Sequence, residues 1–357
     1  MAHALSLAAR GLGSTWPNPA VGCVIVSDTR IVGRGWTQPG GRPHAETMAL
    51  TQAGAQAAGA TVYVTLEPCA HHGQTPPCAE ALIAAGVARV VTALTDPDPR
   101  VAGRGHAMLR EAGVAVTEQV LATEAARLNA GFLRRVTLGL PMVTLKLATT
   151  LDGRIATATG QSRWITSPDS RRATHALRLS HDAILVGAGT ARADDPDLTV
   201  RDLGTRHQPV RLVFDSRLSH AVASRLGHSA HQHPVWLIHT AAAPPGARAH
   251  WEATGATLIE APATATGQID PTSALRLLAS RGLTRILCEG GAQIAASLIR
   301  DHLVTDLITF TAGALIGSDG HPALGPLHLA SLADAPRLIL RGHQAIGPDT
   351  RTHWTFG

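Results

Sequence analysis

The segment Pro43-His44-Ala45-Glu46, with Glu67-Pro68-Cys69 and Pro76-Pro77-Cys78 further on, supplies an imidazole, two thiols and a carboxyl that could act together. One imidazole and two thiolates are a soft donor set with a tetrahedral preference, which suits Zn²⁺. Three protein ligands leave a fourth position for water. Zinc lowers the pKa of that water towards about 7, which provides a hydroxide nucleophile at neutral pH. Glu46 lies two residues from His44, and positions i and i+2 of a helix do not share a face. It need not be a ligand, and can stand beside the water as a proton shuttle.

The order H-x-E then P-C-x-x-C is the signature of zinc nucleobase deaminases. Here eight residues, Ala70 to Pro77, separate the cysteines instead of two. A Pro-Cys pair that opens a Gly/Pro/His-rich loop and closes it on a second Pro-Cys is hard to explain as packing. Asn18, inside the rigid turn Trp16-Pro17-Asn18-Pro19, could present its amide to a ligand.

The elements that must hold these groups follow in order. Ala2 to Leu12 reads as a helix ending at Gly11-Gly13. Val21–Val26 and Ile31–Trp36 flank a short polar link and read as a hairpin. The helix after His44 carries Met48, Ala49, Ala53 and Ala57, with His44 and Glu46 at its N-terminus, where the dipole faces the site. Thr61 to Leu66 is a strand running into Cys69. Cys78–Ala85 is a helix, Val87–Leu94 a strand and Gly103–Ala112 a helix, so a helix-covered sheet is expected. Asp96-Pro97-Asp98-Pro99 is a second rigid loop. Glu118–Leu138 reads as a helical connector, and Gly139-Leu140-Pro141 breaks the pattern. The domains expected are 1–140 and 141–357.

A chain of 357 residues has material for two cores, and 45% hydrophobic with 16% charged residues fits a globular protein. No run of about 18 apolar residues suggests a membrane span, and the start has no signal-peptide layout. Four cysteines in a chain this long make no disulfide framework. Two go to the metal, Cys23 and Cys288 read as buried thiols, and a reducing cytoplasm is the natural compartment. The net charge of +5 is spread without a Lys/Arg cluster. That argues against nucleic acid and suits small phosphorylated substrates. A homo-oligomer is compatible with this reading.

Lys146 is the only lysine, every other basic chain being Arg. Arg does not replace Lys where a compact or titratable amine is needed. Lys146 lies in Met142–Ala148, an alternating strand, so it shares a face with Ala148 while Leu145 and Leu147 take the other. That face is expected to meet a cleft. An ammonium there could orient a sugar, stabilise charge developing on oxygen or donate a proton, with Glu289 as the partner holding it. The strand continues through Thr149–Ile155 as strand–turn–strand. Ser170–Leu179 is a helix. Ala183–Val186, Leu212–Asp215, Val235–Ile238, Ala256–Ile259 and Arg285–Cys288 are short apolar strands. After the last, Glu289-Gly290-Gly291 turns into a helix whose free N–H groups can cradle a phosphate. It is not the G-x-G-x-x-G fingerprint.

These residues together resemble one family along nearly the whole chain, the bifunctional riboflavin-biosynthesis deaminase/reductase. Pro17-Asn18-Pro19, His44-Ala45-Glu46, Glu67-Pro68-Cys69, His71-His72-Gly73 and Thr75-Pro76-Pro77-Cys78 are similar to its deaminase half. Leu151-Asp152-Gly153, Trp164-Ile165-Thr166-Ser167, Ala193-Asp194-Asp195-Pro196 and Glu289-Gly290-Gly291 are similar to its reductase half. The resemblance implies a cytidine-deaminase-like α/β/α sandwich followed by a dihydrofolate-reductase-like α/β domain. It also implies Zn²⁺ and NADPH as cofactors and phosphorylated pyrimidines as substrates.

Carried onto matching positions, the family's substrate residues are Ser162, Arg178, Leu198, Arg201 and Glu289, with Asn18, His71 and Gln74 on the deaminase side. Its NADP residues are Ala148, Trp164, Thr190, Asp194, Ser216 and the stretch Gly291, Ala292, Gln293, Ile294, Ala295, Ala296 and Ser297. The loop departs from the family at Gln74, where a basic residue expected to meet the substrate phosphate is usual. Other readings of the residues are a tRNA or nucleoside deaminase, or a structural zinc with a sugar-binding second domain.

Overall fold

A computed structural model of the chain describes residues 1–71, 76–98, 101–205 and 207–356. Gln74 and the rest of 72–75 therefore lie outside the described residues. The chain divides into two compact units, Met1–Leu140 and Pro141–Gly357.

The first unit contains α1 (Ala2–Ala8), β1 (Gly22–Ser27), β2 (Arg30–Trp36), α2 (Ala45–Ala53), β3 (Thr61–Val64) and α3 (Cys78–Ala84). β4 (Arg89–Thr92), α4 (Arg104–Glu111), β5 (Ala115–Thr117), α5 (Ala122–Leu128) and α6 (Ala130–Leu138) complete it. The sheet runs β2-β1-β3-β4-β5, antiparallel across β2, β1 and β3 and parallel from β3 to β5. The expected hairpin is present, Gly22 facing Trp36.

Alternation along β1 explains the layering. Cys23 and Ile25 pack with Ala45, Ala49, Ala79, Leu82 and Leu109 of α2, α3 and α4. Val24 packs on the other face with Ala4 and Leu7 of α1. Side chains as fully buried as Ile25, Leu82 and Leu109 each contribute about 1.5–3 kcal/mol by leaving water. Helix α2 lies directly on β2. A Cβ on Gly35 would stand 2.1 Å from the Ala45 carbonyl oxygen, so only glycine lets the helix carrying Glu46 sit this close. The connector is two helices. They part at Asn129, whose buried amide exchanges two 3.0 Å hydrogen bonds with the backbone of Ala20.

The second unit contains β6 (Met142–Thr150), β7 (Arg154–Ala156), α7 (Pro168–Leu179), β8 (Ala183–Gly187), α8 (Ala188–Asp194), β9 (Val210–Phe214) and α9 (Arg225–His228). β10 (Val235–His239), α10 (Pro245–Glu252), β11 (Thr257–Glu260), α11 (Pro271–Ser280), β12 (Arg285–Cys288) and α12 (Ala292–Arg300) follow. β13 (Asp306–Ala312), β14 (His321–Pro322), β15 (Leu338–Ile346) and β16 (Asp349–Phe356) end it.

Its main sheet has the order β11-β10-β9-β8-β12-β6-β13-β16-β15. The strands from β11 to β13 are parallel, and the β15–β16 hairpin closes the edge antiparallel. Strands buried on both faces read as the short apolar runs expected of a parallel sheet.

Two expectations need refinement here. Thr149–Ile155 is strand–turn–strand, but β7 pairs with β14 and not back onto β6. The Asp152 carboxylate accepts N–H bonds from Ile316 (3.2 Å) and Gly317 (2.7 Å), which tie the turn to the segment before β14. The chain beyond α12 adds four strands that the sequence reading left unassigned, three in the main sheet and β14 beside β7.

Candidate active sites

In the first unit His44 is the N-cap of α2, Cys69 follows β3, and Cys78 is the first residue of α3. His44 Nδ1 lies 3.2 Å from Cys78 Sγ and 3.8 Å from Cys69 Sγ. Tetrahedral zinc with Zn–N and Zn–S bonds of about 2.0 and 2.3 Å would set N–S edges of about 3.5 Å, so the donors already stand at ligand spacing. They are the one group among the described residues whose His, Cys and carboxylate atoms converge in this way.

The electrostatics agree. The Cys69 thiol is drawn down to about 4, first by a hydrogen bond from the Cys78 thiol and then, against burial, by His44. The Cys78 thiol is pushed up, chiefly by its bond to Cys69. The pair shares a proton that a divalent cation would displace.

Glu46 points into this cluster and is 4% exposed. Burial, and then the charge on Cys69, raise its carboxyl to about 7, the range a proton shuttle needs. Asn18 lies against the turn leading to His44, its amide 3.5 Å from the Gly40 carbonyl and its side chain packed on Gly41. His71 is exposed beyond Cys69.

Glu67 of the Glu-Pro-Cys motif has a role the sequence reading missed. Its buried carboxylate accepts backbone N–H bonds from Asp96 (3.0 Å), Gly103 (3.0 Å), Gly105 (2.8 Å) and His106 (3.4 Å). It clamps the Cys69 segment to the 96–98 loop and the start of α4. In Glu67→Gln one acceptor becomes an NH₂ facing N–H donors. A local loss of about 2–4 kcal/mol is expected, since bonds to charged groups are worth about 1.5–3 kcal/mol each. Amide exchange in 101–106 should then accelerate by about 30-fold or more. Exchange rates there within about threefold of the parent would remove the clamp from the account.

In the second unit a cleft of about 2040 Å³ opens at the ends of the parallel strands. Pockets for a single small ligand run to roughly 300–1,000 Å³, so a dinucleotide and a sugar phosphate can share this one. It lies where the strand order turns. The chain leaves β8 towards β9 on one side and leaves β12 towards β13 on the other, the arrangement that opens a crevice between neighbouring strands. Gly291 caps α12 there with φ of 97°, which favours glycine. A Cβ on it would stand 3.1 Å from Thr190 Oγ1 and crowd the start of α12, so the residues fit a phosphate-bearing cofactor.

Lys146 and Ala148 of β6 line this cleft together, with Glu289 at the end of β12. Ser162 and Trp164 stand at its rim, Trp164 being 70% exposed with the Arg171 guanidinium 4.5 Å from its ring. Arg178 enters from α7, Thr190 and Asp194 from α8, Leu198 and Arg201 from the loop beyond, and Ser216 from the end of β9. Gly291, Ala292, Gln293, Ile294 and Ser297 line it from α12, whereas Ala295 and Ala296 are buried and do not.

Glu289 is not placed as a hydrogen-bonded holder of Lys146. Its two oxygens meet Arg178, Nη2 at 2.8 Å and Nε at the other oxygen. Burial would raise the Glu289 carboxyl, but Arg178 outweighs it, with a smaller contribution from Lys146. Burial lowers the Lys146 ammonium against the pull of Glu289. Arg178 also donates to the Thr199 carbonyl (2.7 Å), so the pair fixes the loop that carries Leu198 and Arg201.

Comparison with known proteins matches both units. The cytidine and deoxycytidylate deaminase zinc-binding region matches residues 1–94, and the RibD C-terminal domain matches residues 141–352. The riboflavin biosynthesis protein RibD of Escherichia coli (strain K12) is 43% identical over 369 residues, covering 99% of this chain and 97% of the relative. That of Bacillus amyloliquefaciens is 41% identical over 353 residues, covering 98% and 94%. The solved structure of Acinetobacter baumannii RibD superposes with a TM-score of 0.89 at 37% identity, covering 100% of this chain and 97% of that one.

A zinc-binding deaminase region ahead of a RibD C-terminal domain defines a two-domain class, cytidine-deaminase-like in its first fold and dihydrofolate-reductase-like in its second. The chain belongs to the RibD family.

Proposed function

We propose that the chain catalyses two successive steps of riboflavin biosynthesis. The first is zinc-dependent hydrolytic deamination of 2,5-diamino-6-(5-phosphoribosylamino)pyrimidin-4-one. The second is NADPH-dependent reduction of the ribosyl chain, giving 5-amino-6-(5-phosphoribitylamino)uracil. We assign the first step to 1–140 and the second to 141–357. The observation that carries the reading is the convergence of His44, Cys69 and Cys78 with the buried carboxyl of Glu46 beside them.

His44 Nδ1 and the two sulfurs would hold the zinc, which supplies a polarised water at its open position. Glu46 would carry the two protons of the water in turn, the first to the ring nitrogen and the second to the departing amine, so that the water oxygen stays as the carbonyl and the amine leaves as ammonia. In the second unit the cleft would hold NADPH, which would supply the hydride for the sugar carbon. Lys146 orients the sugar and meets the charge that develops on its oxygen. Arg178, Leu198, Arg201 and Ser162 hold the substrate, and Glu289 keeps Arg178 in place.

Lys146→Arg keeps the charge but not the compact amine. Reductase turnover is expected to fall at least about tenfold, or about 1.4 kcal/mol of barrier, with deamination untouched. Turnover within about twofold of the parent would leave the lone lysine as an accident of composition.

Among the described residues no helix is long and apolar enough to cross a membrane. The free thiols suit a reducing compartment, and we place the reactions in the cytoplasm. The test of the whole is mass spectrometry of products from purified protein and the pyrimidinone phosphate. Exchange of an amine for oxygen is expected without NADPH, and addition of two hydrogens with it. An unaltered substrate in the zinc-loaded protein would overturn the reading.

A further inference from the structure

We propose that Asp349 is a positioning residue for the reductase step, its carboxylate setting where α7 and the Trp164–Thr166 segment stand at the cleft. The inference rests on reading the second unit as the reductase. Along β15 and β16 Asp349 alone is buried, a single acid fixed inside an otherwise open hairpin. Its Oδ2 accepts the Ser167 N–H at 2.8 Å and the Ser170 hydroxyl at 2.6 Å. Ser167 is the N-cap of α7, and Ser170 lies in its first turn. Burial would raise the Asp349 carboxyl, but the Ser170 hydroxyl and the Ser167 donors outweigh it and hold it below the usual range. The charge also meets the positive end of the helix dipole. The turn before Asp349 docks at the same place, where a Cβ on Gly347 would stand 2.4 Å from Asp169 Oδ2.

Helix α7 depends on such an anchor. Its buried residues are Ser170 and Thr174, both polar, and Leu177 is only partly buried against the core. Apolar burial therefore does little to fix where this helix stands. Hydrogen bonds at its two ends do so instead, Asp349 on the first turn and Glu289 on Arg178 in the last.

The first turn also governs the rim. Arg171 donates to the Thr166 carbonyl at 2.9 Å and lays its guanidinium 4.5 Å from the Trp164 ring. Arg171, Thr174 and Arg178 line the cleft from α7, and Ser162, Trp164 and Thr166 line it from the segment before. Asp349, Ser167 and Ser170 do not line it, so Asp349 acts on the cleft through the two serines.

Steady-state reduction of the deaminated intermediate by NADPH, on the full chain, tests this. In Asp349→Ala the KM for the intermediate should rise about tenfold or more, with kcat within about threefold, because Arg178 and Ser162 lose the spacing that binds it. Deamination by the same preparation should be unchanged. A merely structural role would lower kcat through lost folded protein and leave KM alone. Ser170→Ala, which removes a single hydroxyl, should raise KM in the parent background and add less than about twofold to Asp349→Ala, since both changes delete one contact. It reads the same KM if Asp349→Ala does not fold. A KM within about twofold of the parent in Ser170→Ala, or effects of the two substitutions that simply multiply, overturns the role of Asp349. A parent that reduces no intermediate with NADPH removes the reductase reading beneath it.

Discussion

Glu46→Gln is expected to keep its zinc and to lose deamination by about a thousandfold. Positioned proton transfer contributes about 10²–10⁴-fold, and an amide cannot shuttle a proton. The substitution is close to isosteric in a site where Glu46 is 4% exposed, so the neighbouring donors should not move. His44, Cys69 and Cys78 form the ligand group without it. Reduction of separately supplied deaminated intermediate should continue at the parent rate, because no residue assigned to that step lies in the first unit. Ammonia release and metal content, measured on the same preparation, decide the matter. Ammonia at near the parent rate from the zinc-loaded variant would sink the assignment of Glu46.

Removing a ligand should do more. In Cys69→Ala or Cys78→Ala zinc affinity should fall by at least about 100-fold, since even changes behind the ligands cost 10–100-fold. Deamination should disappear with the metal. The first unit should also lose stability. The three donors sit at the start of α2, beyond β3 and at the start of α3, so the metal joins three segments that the chain alone joins less firmly. Cys69 Sγ also accepts the Cys78 N–H at 3.2 Å, a bond Cys69→Ala deletes even without metal. Metal analysis after dialysis against a chelator, with thermal unfolding with and without added zinc, reads both effects. One zinc per chain surviving the chelator in either variant would count against the ligand set.

What was legible in the sequence depended on how local each feature is. The metal donors were legible because their chemistry resides in residue type, and the helix that follows His44 fixes where Glu46 stands. Strand alternation puts Lys146 and Ala148 on one face, and both line the cleft, although Leu147 between them lines it as well.

Partnerships made across the fold were not legible. Glu67 grips amides 29 to 39 residues away. Glu289 is hydrogen-bonded to Arg178, 111 residues back, and reaches the lysine suggested for it through its charge alone. The run Gly291–Ser297 is continuous in sequence, yet a helix turns it, and Ala295 and Ala296 face inward while Gln293 and Ser297 face the cleft. β15 was illegible for another reason. Its residues are largely exposed on both faces, so no apolar periodicity marks it.

The solitary lysine has an analytical consequence. Apart from the terminal amine, the chain presents a single aliphatic amino group to an acylating reagent. That group lines the second unit's cleft, and burial shifts it towards the neutral, nucleophilic form. Modification at one peptide would therefore report whether the cleft is filled, and protection by ligand would appear as an unlabelled mass at that peptide. The molecule carries its own occupancy probe, with no engineered tag and one background site.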